Sequence, residues 1–185
     1  MMNEFLKRAM ELNDSILADR HYLHQNAEVG MELPVTTKYV MERLASMGIE
    51  SEEICQSGVV ALIKGKKPGK VYLLRADMDA LPMKEESGLE YAEKEGKAAH
   101  TCGHDCHAAM LLTAAKMLKE REAELPGRVR FMFQPAEETF EGGKDMIAQG
   151  ILEGVDAVIM TACDFYGCKG ALDDLHAAGI PVITL

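Results

Sequence analysis

Apolar residues along this chain recur in two ways, at helical spacing and in short unbroken runs. Phe5, Ala9, Leu12 and Ile16 fall on one helical stripe, and Val40, Leu44 and Met47 form another after Pro34, a residue suited to the first turn of a helix. Two helices are therefore expected early in the chain. The runs GVVALIKG (Gly58 to Gly65), VYLL (Val71 to Leu74) and VRFMF (Val129 to Phe133) are bounded by Gly, Pro or Lys, as buried strands are. Between the last two lies a further helical pattern, Met110, Leu111, Ala114, Met117 and Leu118, which ends before Pro126-Gly127. This alternation predicts an α/β layered fold with a mostly parallel sheet, in which ligands sit at the carboxyl ends of the strands.

Composition narrows the class of partner. The chain has 185 residues, 48% of them apolar, and no unbroken apolar run of membrane-spanning length, so one globular domain without a membrane partner is expected. The net charge of -10, with acidic residues spread along the chain, argues against nucleic acid, whose phosphates call for clustered Lys and Arg. The opening MMNEFLKRAMELNDSI has early charges and no secretory apolar segment, which makes the cytoplasm the expected compartment. Thiols stay reduced there, so the five cysteines read as ligands, nucleophiles or core fillers rather than disulfides.

Three polar clusters fall just past predicted strands or beside a helix start: Asp77 and Asp79, the run HTCGHDCHAAM from His100 to Met110, and the pair Glu137-Glu138. Thiolate, imidazole and carboxylate together are the donors of a divalent metal site. Cys102 and His104 are two residues apart, so in an extended segment both side chains point the same way. The helix N-terminus that follows is expected to favour the Cys102 thiolate. Glu137 and Glu138 precede Gly142-Gly143 in a segment free to turn, where one carboxylate ligates and the other takes a proton from water. Each cluster has a plainer reading by itself. His107 fits a hydrogen-bonded core histidine on the stripe of Met110, Leu111 and Ala114, Cys106 a small buried residue, Asp77 and Asp79 turn residues, and the glutamate pair a solvated loop. Their joint placement is what favours the metal site.

LRADMDALPMKEE, HTCGHDCHAAMLLTAAKML and FMFQPAEETFEGGKDMI, with LHQNAEVGMELPVTTKYVMERLASMGIE upstream, resemble the aminoacylase-like branch of the metallo-exopeptidases. That branch includes hippurate hydrolases, N-acyl-amino-acid amidohydrolases and the plant indole-acetyl-amino-acid hydrolases. The resemblance implies a three-layer α/β/α sandwich. It implies Cys102, His104 and Glu138 as metal ligands, Glu137 as the general base, and Asp77 as an acidic residue beside the metal. His24 and Glu28 fall in the family's His-x-x-x-Glu stretch, with no role assigned. The implied reaction is hydrolysis of an N-acyl amino acid or short peptide by metal-activated water. Zinc and manganese stand first among the metals, and nickel and cobalt are also admissible.

The resemblance has limits. Residues 1–160 are family-like and 161–185 form a divergent tail, so the chain reads as a single catalytic-type domain in truncated form, with the family's lid domain absent. A second polypeptide supplying the other half is one expected partner. A family histidine ligand falls at Ala162, and Cys163 or Cys168 is expected to replace it. The tail itself reads as a strand from Ala157 to Met160, a helix over ALDDLHAAG and a strand PVITL, a unit able to cover a sheet edge. Two other readings stand beside the hydrolase. One is a truncated or degenerate relative that binds metal without turnover. The other is a structural zinc site of Cys102, Cys106, Cys163 and Cys168, which leaves Glu137-Glu138 unexplained.

Overall fold

A computed structural model describes residues 3–160 and 169–184. The stripe from Phe5 to Ile16 is carried by two helices, α1 (Glu4–Glu11) and α2 (Asn13–Gln25), not one. The break lies at Leu12, whose backbone leaves the helical region (φ -92, ψ 6) while its side chain is buried. Asn13, Asp14 and Ser15 follow, residues that favour helix starts over helix interiors. At the other end of α1 the Asn3 side chain accepts from the Phe5 amide at 3.0 Å. Helix α3 (Pro34–Ser46) begins at its proline as expected, and its cap comes from outside. The Glu28 carboxylate accepts from the amides of Val35 (3.2 Å) and Thr36 (2.9 Å), which gives that glutamate a structural role.

Six strands form one sheet: β1 (Ser51–Ile54), β2 (Gly58–Lys64), β3 (Lys67–Asp77), β4 (Pro126–Gln134), β5 (Ala157–Met160) and β6 (Val182–Thr184). The order across the sheet is β1-β2-β4-β3-β5-β6. The β4-β3, β3-β5 and β5-β6 pairs are parallel, as the alternation predicts. The β1-β2 and β2-β4 pairs are antiparallel, so the GVVALIKG strand does not join the parallel set. No helix separates β2 from β3, so no crossover sets their directions alike. The chain instead slips around the start of β4, where a Cβ on Gly65 would lie 2.2 Å from the Leu125 carbonyl oxygen and one on Gly127 2.0 Å from that of Lys70. Strand β1, Ser-Glu-Glu-Ile, carries no apolar run and owes its place to pairing with β2.

Helix α4 (His104–Glu120) crosses between β3 and β4 on one face, and α5 (Gly142–Ala148) and α6 (Lys169–Ala177) lie on the connections that right-handed crossovers send to the other. The first face packs Leu23, Leu33, Val40 and Leu44 with α4 against Val59, Phe131 and Phe133. The second packs Leu73, Met132 and Val158 against Met146 of α5. These are the three layers expected. The buried face of α4 includes Ala108, Ala109, Leu111, Leu112 and Ala115, while Met110 is half exposed. Leu111 and Leu118 of the predicted stripe pack on the core, and the small residues Ala108, Ala109 and Ala115 widen the buried face beyond it. The predicted tail elements are present as β5, α6 and β6, with β6 paired to β5 through Val158 and Val182. Ala162, Cys163 and Cys168 lie outside the described residues. Among the described residues no helix is long and apolar enough to cross a membrane.

Candidate metal centre

Strands β4 and β5 flank β3 on opposite sides, so the chain reverses its direction of travel at β3 and leaves a crevice beyond its carboxyl end. Asp77 is the last residue of β3, and the Glu137-Glu138 turn follows β4. The third contribution comes from the start of α4. There the expected extended segment is replaced by a tight bend: Gly103 precedes the helix at φ +90, in the left-handed region that a side chain disfavours. That bend turns Cys102 back toward His104, the first residue of the helix.

His104 is fully buried, and its Nδ1 donates to the Asp79 carbonyl oxygen at 2.8 Å. A carbonyl only accepts, so Nδ1 carries the hydrogen and the neutral ring offers its lone pair at Nε2. Around Nε2 stand Glu137 Oε2 at 3.6 Å, Asp77 Oδ1 at 3.7 Å and Glu138 Oε1 at 3.9 Å. These separations are too long for hydrogen bonds. They approach the spacing of roughly 3.3–3.8 Å between two donors that share a tetrahedral ion at about 2.0–2.3 Å. His104 Nε2 and Glu138 Oε1 are also buried without a hydrogen-bond partner, a cost that a shared cation removes. Cys102, His104 and Glu138 offer ligand atoms that all lie within 4.8 Å of one another, and Asp77, His104 and His107 do the same. The donor set thus fits a divalent metal, with His104 common to both groups.

All five residues that the sequence singles out, Asp77, Cys102, His104, Glu137 and Glu138, converge here. Asp79, grouped with Asp77 in the predicted metal-site clusters with a turn as its plainer reading, proves central. Its Oδ1 accepts from the Glu137 amide at 2.9 Å and its Oδ2 from the Glu138 amide at 3.1 Å. His107, read as a core histidine, is hydrogen-bonded but only half-buried, and donates from Nδ1 to Asp77 Oδ1 at 2.7 Å. Its signal was the spacing from His104, which puts both on one face of α4. Cys106 is partly exposed and belongs to neither ligand group. The chain turns as expected after Glu138, but Gly142-Gly143 open helix α5 rather than a loop.

The charges oppose one another in this crevice. Burial works against ionisation of Asp77, yet the His107 hydrogen bond and the Arg75 guanidinium at 2.8 Å outweigh it and hold the carboxyl at about 2. Burial alone would lower His104, but the Asp79 and Asp77 carboxylates raise it to about 9. Desolvation, then the charges of Glu138 and Glu137, push the Cys102 thiol up to about 11. Burial and the neighbouring carboxylates thus favour the protonated thiol of Cys102 in the metal-free chain, where a thiolate was expected. Burial and the Asp77 charge raise Glu137 above its ordinary range.

A family model described as peptidase family M20/M25/M40 matches residues 73–170. The chain is 41% identical over 164 residues to an N-acyl-L-amino acid amidohydrolase of Geobacillus stearothermophilus, covering 87% of this chain and 44% of that protein. It is 42% identical over 139 residues to a hippurate hydrolase of Campylobacter jejuni, covering 75% of this chain and 36% of that one. Among solved structures it is similar to a dinuclear metal-binding peptidase from Bacillus subtilis, with a TM-score of 0.79 and 38% identity over 82% of this chain and 43% of the other. The chain thus spans less than half the length of each of these relatives.

Proposed function

Because the chain belongs to peptidase family M20/M25/M40, we propose that it carries out metal-dependent hydrolysis of the amide bond of an N-acyl amino acid or short peptide. In this reading Cys102, His104 and Glu138 hold the metal and Glu137 is the general base. The observation that carries it is the meeting of a thiol, an imidazole nitrogen and a carboxylate within 4.8 Å, with Glu137 beside the same nitrogen at 3.6 Å. Relatives named for hydrolysis of N-acyl amino acids and hippurate support an amide as the bond cleaved.

A divalent cation held by these residues, zinc or manganese first, would supply a Lewis acid to the scissile carbonyl. The rest falls to the chain. Glu137, with its carboxyl raised by burial and by Asp77, is suited to take a proton from the attacking water and pass it to the leaving nitrogen. Asp79 pins the amides of both glutamates, which keeps the base and the ligand from exchanging places. Three described donors converge, leaving room in a tetrahedral shell for substrate or a further ligand.

The test uses the metal-reconstituted chain with N-acetyl and N-benzoyl amino acids, following release of the free amino acid. Glu137→Gln is expected to lower the rate by about 100-fold or more, the usual scale for a general base, with metal content unchanged. A folded, metal-loaded chain that releases no amino acid overturns the hydrolase reading.

A further inference from the structure

Helix α2 presents Arg20, His21 and His24 to two segments that meet at Cys102-Gly103-His104. On one side is the first turn of α4. There Asp105, 1% exposed, receives His24 Nδ1 at 2.7 Å and Arg20 Nε at 2.9 Å on Oδ2, while its Oδ1 accepts from the Cys106 amide at 2.9 Å. The Arg20 contact is ionic, since Nε is not aligned for a hydrogen bond. On the other side is the long connection from β3 to α4. Its Glu85 Oε1 accepts from His24 Nε2 at 2.9 Å and its Oε2 from the Glu93 amide at 2.9 Å. The Tyr91 ring stacks on His21 at 3.8 Å and lies 5.0 Å from the Arg20 guanidinium. One histidine therefore bridges two carboxylates, one on each flank of the metal-binding segment.

This segment needs such a grip. Its middle residue, Gly103, sits at φ +90 with nothing within 4 Å of where a Cβ would be, so local packing does little to fix the angle between Cys102 and His104. Its two ends are fixed instead. Asp105 directly follows His104, and Ala98, Ala99 and His100, all buried, lead from the Glu85 connection into Cys102. Burying several charges is a poor way to gain stability, because desolvation offsets the attraction. It is a good way to impose direction, since each contact has one geometry. Neither Arg20 nor His24 is hydrogen-bonded to Cys102, His104 or Glu138, so any effect on the metal runs through Asp105 and Glu85.

We propose that Arg20 and His24 are positioning residues for the metal arm, holding Cys102 and His104 at ligand spacing by gripping Asp105 on its helical side and Glu85 on its loop side. This rests on the reading of Cys102 and His104 as ligands. The His-x-x-x-Glu stretch then has two roles: Glu28 caps α3, and His24 sets the arm.

The experiment is a Co(II) titration of the full chain, read by the thiolate-to-cobalt charge-transfer band and the visible d–d bands. An asparagine amide can stand where Nδ1 stands, and a glutamine amide where Nε2 stands. His24→Asn thus keeps the Asp105 contact, and His24→Gln keeps the Glu85 contact. His24→Gln and Arg20→Gln are expected to weaken Co(II) binding by about 10- to 100-fold, the range for groups that orient ligands, and to shift the d–d bands. His24→Asn, which frees the Glu85 side and so the approach to Cys102, is expected to weaken binding as well, and Arg20→Lys recovers part of what Arg20→Gln loses. Amide hydrogen exchange follows the same split. His24→Gln speeds exchange over residues 103–107 and His24→Asn over residues 85–102, while residues 111–118 stay protected in both. Folded His24→Gln and Arg20→Gln variants with wild-type Co(II) affinity and spectrum overturn the proposal. So does a uniform loss of thermal stability with unchanged d–d bands, the mark of a purely structural role. A wild-type chain that takes up no Co(II) overturns the metal reading and not the grip on the arm, which the exchange pattern then decides.

Discussion

The carboxylate of Asp79 closes on two backbone amides 58 and 59 residues away, and its own carbonyl holds the His104 ring. An asparagine in its place must turn an NH2 toward one of those amides, leaving a buried donor unpaired. Asp79→Asn is expected to cost about 1–3 kcal/mol in denaturant unfolding and to weaken metal binding. His104 carries a second consequence. Its value of about 9 lies above the ordinary 6.5, so its contribution to the metal-free fold is full below about 6.5 and lost as pH rises through about 9. Metal uptake must displace that proton and the one on Cys102, raised to about 11, so affinity climbs over the same interval. The rise in melting temperature on adding metal should therefore grow between pH values of about 6.5 and 9, and a shift that shrinks with pH would contradict this. At this scale the donor types of the candidate centre were legible, because cysteine, histidine and paired glutamates past strands name the chemistry proposed for them. The part played by Asp79 was not, since its partners are backbone groups of a distant turn. The position of His107 was hidden because its spacing fits two faces of one helix.

The turn that carries Glu137 and Glu138 stands between two non-glycine residues in the left-handed region, Ala136 at φ 48 and Phe140 at φ 60. It closes where Gly142 passes Pro135, with the site of a Cβ only 1.8 Å from the Pro135 carbonyl oxygen. The neighbouring Gly143 faces the Gln134 side chain at 3.3–3.5 Å, a contact that can give. Gly142→Ala is expected to destabilise by on the order of 3 kcal/mol and to reduce metal affinity, because the whole turn must shift. Gly143→Ala should stay within about 1 kcal/mol of wild type, and equal effects from the two would remove the argument. Elements were readable where apolar runs were long enough to show a period. The three central strands and α4 were found that way. Strand β1 was missed because Ser-Glu-Glu-Ile has no such run, α5 because it opens with two glycines, and the break at Leu12 because an unbroken stripe hid a change of axis.

Across the molecule, the crevice follows from sheet order: β3 has neighbours reached from opposite directions, and the residues of the centre all lie beyond strand ends or at a helix start that faces them. The parallel strands were foreseeable from alternation with helices. The antiparallel insertion was not, because hydrophobic pattern tells which face of a strand is buried and not which strand lies beside it. Only Gly65 and Lys66 separate β2 from β3, yet β4 lies between them in the sheet. A chain emerging residue by residue therefore makes both walls of a slot long before it makes the strand that fills it. Until residues 126–134 arrive, two inner edges wait unpaired, and pairing them with each other would lock out the native order. Entry of Phe131 and Phe133 into that slot is thus a long-range closure, and refolding paced by it rather than by local propensity is the expected outcome of a stopped-flow measurement.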